Sequence, residues 1–213
     1  MRFIYSQDER RMTLPFPRPA TTGQSYGTIT RTHACTAFAF VGTSGPVTVE
    51  ASDDEWSTTL FSQDFSAGGD VFAVTGGSIA AASWRIRARG NAVIGSLYPG
   101  VLAETSINPS APFAIEKLTL SEDQRGVGGM LVSEVRGSVY AGTLQFSVVP
   151  QQDVDSVWRP MLDATNNGRK AYVVENHITG SAHIVTSPSA EFPFSITDGG
   201  LYWSGSINVQ GVP

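Results

Sequence analysis

Cysteine and lysine are nearly missing from this chain: its 213 residues include one cysteine, Cys35, and two lysines, Lys117 and Lys170. A lone cysteine excludes an intramolecular disulfide and leaves a cysteine-ligated zinc site without its usual partners, which points to a reducing compartment. Charge of either sign is scarce, at 15%, and the formal net charge is -5. That balance argues against a surface that tracks a phosphate backbone through clustered Lys and Arg. No run approaches the ~18 apolar residues of a spanning helix. The opening MRFIYSQDERRMTLPFPRP holds an apolar stretch too short for a signal-peptide core, followed by a charged cluster. The sequence therefore predicts neither a membrane span nor an ordinary secretion signal. Catalytic signatures are missing as well: no G-x-S-x-G elbow, S-x-x-K pair, Walker loop or G-x-G-x-x-G occurs, and GVGGM, at 126–130, lacks both the lysine and the spacing.

What is present favours strands. Hydrophobic residues make up 41%, with 22 Gly and 12 Pro and a polar remainder dominated by Ser and Thr, a mixture suited to short strands and turns around a real core. The expected fold is mainly β, with β-sandwich or split-barrel parts and one short α-helix near 154–165. LPFPRP, residues 14–19, must be extended, because its prolines fix φ and lack donors. TAFAFVG and GPVTVEAS read as strands broken at 42–46. Trp84, Ile86 and Ala88 alternate with Arg85, Arg87 and Arg89, and the turn Arg89-Gly90-Asn91 predicts a hairpin with 92–97. The Pro-rich stretch 99–116 is the candidate boundary between an N-terminal β-rich part, 1–116, with a Pro-rich arm, and a C-terminal β module, 117–213.

In the second part, Leu144, Phe146 and Val148 share a strand face after the loop RGVGGM. Val154, Val157, Trp158, Met161 and Leu162 then form a helical stripe, with Asp153, Asp155 or Ser156 as candidate N-caps and Gly168 as terminator. Pro160 inside that stripe predicts a helix shortened to begin at Ser156. KAYVVE and AHIVTS read as strands around the loop 176–181. FPFSITDGGLYWSGSINVQG closes the chain as a hairpin, with Leu201, Trp203, Gly205, Ile207 and Val209 on the dry parity.

Each residue that could carry chemistry also has a quieter role. His33, His177 and His183 are scattered without metal-site spacing, so no metal or cofactor is expected. His33 and Cys35 share a strand face, as a thiolate pair would, yet a small thiol among Ala34, Ala37 and Phe38 is the expected reading. Asp53-Asp54-Glu55 and the pair Asp153/Asp155 are candidates for glycoside hydrolysis. Adjacent turn acids diverge, however, and Asp153 suits a cap, so no catalytic residue is assigned. Trp84, Trp158 and Trp203 fall in core patterns, leaving Trp56 as the exposed aromatic that could stack a sugar. Arg85, Arg87 and Arg89 form the one concentrated charge feature, an interaction face for an anion, a nucleic acid or an acidic neighbouring subunit, or the water-facing side of a hairpin.

In order and texture, YAGTLQFSVVP, the helix around SVWRPMLDA, KAYVVENHITGSAHIV and the closing hairpin resemble the ring-forming modules of bacteriophage tail-tube, distal-tail and baseplate-hub proteins, over about 119–213. The resemblance implies a virion component made in the bacterial cytoplasm, forming a homo-oligomeric ring with other tail or baseplate proteins through sheet contacts. It implies no enzymatic activity. The alternative reading is a carbohydrate-binding β-sandwich of a virion or cell surface, and the third is a hydrolase.

Overall fold

The structure, a computed structural model, describes residues 1–6, 17–27, 34–66, 69–110, 114–125, 131–188, 192–197 and 202–211. Its strands are β1 (Arg2–Tyr5), β2 (Arg18–Ala20), β3 (Ser25–Tyr26), β4 (Cys35–Thr43), β5 (Val47–Ser52), β6 (Phe61–Phe65), β7 (Gly69–Ile79), β8 (Ser83–Ala88), β9 (Ala92–Ile94) and β10 (Ser96–Glu104). They continue with β11 (Ala114–Arg125), β12 (Leu131–Pro150), β13 (Tyr172–Glu175), β14 (Ala182–Thr186), β15 (Phe194–Ile196) and β16 (Tyr202–Gly211). A ten-stranded sheet runs β11-β12-β16-β14-β13-β1-β10-β4-β7, with β15 attached to β16; beside it lie the pair β2-β9 and the four-stranded sheet β3-β8-β5-β6. The protein is mainly β with one helix, as its composition predicts.

Two cores follow from alternation. In the first, the inward residues of β5 and β8, Val47, Val49, Ala51, Trp84, Ile86 and Ala88, meet Phe38 and Phe40 of β4. Phe61 and Phe65 close it edge-on against Phe38 at 5.7 and 6.0 Å. In the second, the sheet β12-β16-β14-β13-β1 carries helix α1, residues 151–164, whose Val154, Trp158, Met161 and Leu162 are buried against Phe3, Leu144, Tyr172, Val185 and Ile207. Trp158 is the hub, with Phe3, Phe146 and Phe194 at 4.9, 5.0 and 4.9 Å. Cys35 is buried in the first core, and His33, its candidate partner, lies outside the described residues.

A third cluster joins the two. Ile4, Ala37, Ala39, Tyr98, Val173, Ala182 and Ile184 pack together, so the long sheet doubles back and lays β13-β14 over β4. The Tyr98 hydroxyl ties the layers by donating to the Ala171 carbonyl at 2.6 Å. Strand β10 makes the geometry possible: residues 96–100 pair with β4 and 101–104 with β1. At the switch sits Gly100, where a Cβ would stand 2.5 Å from the Tyr5 carbonyl oxygen. Strand β10 thus runs through the first part of the stretch read as a boundary.

Three local readings need correction. Helix α1 begins at Gln151 and contains Pro160, with α-helical segments Gln151–Asp153 and Arg159–Ala164 around a π-helical turn, Val154–Trp158. The Arg159 N–H reaches back to the Val154 carbonyl, so the wider turn ends just before the proline, whose ring and missing N–H an ordinary turn accommodates poorly. Asn166, Asn167 and Gly168, at φ 52°, 55° and 78°, end the helix in the left-handed region that Asn and Gly tolerate best. The hairpin expected over 84–97 does not form, because β8 has both edges occupied by β5 and β3 and β9 pairs with β2. Val148 points outward, half exposed, because the register slips between Phe146 and Val149 and Val149 takes the buried place.

The closing hairpin forms as read: β15 pairs with β16, and Ile207 and Val209 are buried. Its turn at 198–200, the loop 126–130 and residues 14–16 lie outside the described residues.

Candidate functional site

The arginine face lies on the outer side of the sheet β3-β8-β5-β6. Strand register sets Glu50 opposite Arg85 and Thr48 opposite Arg87. The Glu50 side chain, only 5% exposed, takes Arg85 Nε at 2.7 Å and the Arg87 guanidinium at 2.8 Å. Arg89 reaches Asp64 on β6 at 3.1 Å, and the Thr48 hydroxyl donates to the same carboxylate at 2.7 Å. Each arginine therefore has a carboxylate from its own sheet, Glu50 on the adjacent β5 and Asp64 on β6 one strand further. Arg85 is the most enclosed, at 22% side-chain exposure against 44% and 45% for Arg87 and Arg89.

Trp56 covers the buried end of this ladder. Its ring lies 3.8 Å from the Arg85 guanidinium carbon, a stacked cation–π contact strengthened by the partial loss of water around both groups. The loop carrying it is wound around Ser52, whose hydroxyl donates to Asp54 at 3.0 Å and accepts the Trp56 N–H at 3.1 Å. Asp54 also accepts the Thr58 N–H at 2.7 Å, and Asp53 accepts the Ala82 N–H at 3.0 Å. Glu55 and Trp56 hold φ of 52° and 73°, a conformation that costs non-glycine residues about 1–3 kcal/mol each and persists only where surroundings enforce it. Trp56 is half-buried, folded onto Arg85. The acids beside it are occupied in shaping the loop: hydrogen bonds from the Thr58 side chain and backbone hold the Asp54 carboxyl below its ordinary range.

The other residues singled out from sequence are dispersed. Trp84 and Trp158 are fully buried in separate cores, while Trp203 is half-buried with its indole N–H donating to Gln151 at 2.6 Å. Asp153 is no cap: it sits inside α1 and accepts the backbone N–H and hydroxyl of Ser106 at 2.8 and 2.7 Å. His183 lies in β14 against the Tyr140 ring at 4.8 Å, and burial holds its imidazole below the ordinary value, with Asp70 opposing. Among the described residues no group of three or more His, Cys, Asp or Glu gathers as a metal site would require, and no helix is long and apolar enough to cross a membrane. An open groove of about 450 Å³ lies between β2-β9 and the turn at Ser44 and Gly45. Its lining has no titratable side chain, so it offers shape without acid–base chemistry.

The length of the β11-β12 hairpin is not legible in the sequence. Strand β12 pairs with β16 from Ala141 onward, yet it extends back to Leu131, and among the described residues β11 is the partner of that part. At roughly 3.3 Å per residue, this part of the hairpin is about 30 Å long. The run of strand-forming residues before Tyr140 signals strand, but its length beyond the sheet depends on where β16 stops. Comparison with protein families, curated proteins and solved structures finds no match to this chain.

Proposed function

We propose that this chain is a structural subunit of a bacteriophage tail or baseplate, a virion component made in the host cytoplasm that assembles into a ring with its own copies and neighbouring tail proteins through β-sheet contacts. The observation that carries the reading is the long β11-β12 hairpin. A two-stranded hairpin alone is marginal in water and needs a third strand or a covering surface, so an arm of this length is best explained by a neighbour that receives it. The paired arginines fit the same reading: a face whose cations are neutralised within its own sheet is a rigid wall, suited to packing rather than to capturing anions. No bond is made or broken in this function.

The test is assembly of the full chain with and without the arm. The intact protein should form closed rings visible by negative-stain electron microscopy, alone or with purified tail neighbours. A variant in which residues 118–138 are replaced by a short Gly-Ser turn should keep its far-ultraviolet circular dichroism minimum and lose the rings. An intact protein that forms no ring in either setting, or an armless variant that assembles normally, overturns the proposal. A glycan array on the intact protein tests the carbohydrate alternative, in which binding must fall on replacing Trp56 by Ala.

A further inference from the structure

We infer that β7 is a second, separate seam, through which two copies of this chain join edge to edge, antiparallel, about a twofold axis. Strand β7 ends the ten-stranded path: β4 lies on one side, and among the described residues no strand lies on the other. Protein sheets ordinarily guard such an edge with Lys, Pro, inward charge or a short strand, because unpaired N–H and C=O groups recruit any available strand. The two ends of this sheet differ in that respect. Strand β11, AIEKLTLSEDQR, contains Glu116, Lys117, Glu122, Asp123 and Arg125. Strand β7, GDVFAVTGGSI, has no charge beyond Asp70 and no proline. Asp70 itself is turned back to accept the Gly42 N–H at 2.7 Å.

The part of β7 that can pair is well defined. Val71, Phe72, Ala73 and Val74 stand in unbroken register with Phe40, Ala39, Phe38 and Ala37, with register shifts on both sides. Val71 and Ala73 pack on the first core and Phe72 on the joining cluster, so both faces of the strand are anchored and its outer backbone is held ready. Val74 is 39% exposed. The occupant follows from strand direction and charge. All pairings along the path are antiparallel, so β7 and β11 run the same way. A head-to-tail extension keeping the second copy upright would place β7 beside the charged β11 in parallel. Two β7 strands related by a twofold pair antiparallel instead, uncharged against uncharged, as an isologous contact requires. The inference needs only β7 and stands whether or not the arm engages a tail protein.

Analytical ultracentrifugation of the full chain over about a hundredfold concentration range decides it, since an isologous pair dissociates on dilution. The armless protein should dimerise as the intact one does, which separates this seam from the ring reading. Val74→Lys should be monomeric at every concentration with an unchanged circular dichroism spectrum. Ile178→Lys, the same change on the exposed 176–181 loop, should dimerise normally. Hydrogen exchange of the unsubstituted protein gives the second readout: amides within 71–75 should slow on raising concentration. A monomer throughout, a dimer or larger assembly that Val74→Lys leaves intact, or slowing confined to other segments overturns the inference.

Discussion

The two cores solve the same problem differently. The first is sheet against sheet, filled by Phe61 and Phe65 edge-on to Phe38 and by Trp84 tilted against Phe38 and Phe61, and even its outer side is finished, with Glu50 sealed beneath Arg85 and Trp56. The second is a sheet around a helix, centred on Trp158, and from it β11-β12 continues beyond β16 with no third strand among the described residues. One half is closed on itself and the other is left open. Sealed polar faces and unfinished hairpins on one chain divide labour between rigidity and contact.

Hollowing each core in turn should do the most damage. Trp158→Ala and Trp84→Ala should each cost about 3–5 kcal/mol. Because the joining cluster welds the halves, urea unfolding of either variant should remain a single transition, coincident by tryptophan fluorescence and circular dichroism. Two separated transitions would make the halves independent. Next in size, Glu50→Gln should cost about 2 kcal/mol, since it strips two arginines of a largely buried acceptor. Trp56 should then become more accessible to acrylamide quenching, whereas unchanged stability and quenching would show that the face is not sealed through Glu50.

A smaller effect distinguishes the halves by pH. Burial lowers the His183 pKa from its ordinary 6.5, so below that value the unfolded chain binds the proton more readily than the folded one. Its contribution to stability is complete above pH 6.5 and is lost as pH falls through 6.5 towards the folded value. His183→Gln should flatten that part of the acid-side decline in melting temperature; an unchanged slope would remove His183 from the account. Smallest of all, Arg89→Ala should change unfolding free energy by about 0.5 kcal/mol or less, because both it and Asp64 stand largely in water. A loss comparable to that of Glu50→Gln would mean that the whole ladder is enclosed.

Much of the fold was legible where the signal is periodic. The stripe from Val154 to Leu162 marks the helix, runs of strand-forming residues mark β4, β5, β13 and β14, and alternation marks the closing hairpin. Long-range pairing was not legible. Arg89-Gly90-Asn91 has the chemistry of a hairpin turn, but β8 found both partners elsewhere, and nothing local in residues 84–97 could reveal that. The same reason hid the arginine partners: Glu50 stands on the wet parity of VTVEAS, and only register brings it opposite Arg85. Trp56 was visible as an aromatic after an acidic turn, whereas its fold-back onto Arg85 depends on Ser52 gathering the loop.

The position of β1 has a consequence for how the molecule comes into being. This short strand is made before the other described strands, yet it lies between β10 and β13, and Phe3 meets Val174 about 170 residues later. At ribosomal speeds of roughly 5–20 residues per second, that partner emerges about 10 to 30 s afterwards. Until then β1 waits for one of its two partners, so the first core, built mainly from β4 to β9, can consolidate early while the second closes only once β13 to β16 have been made.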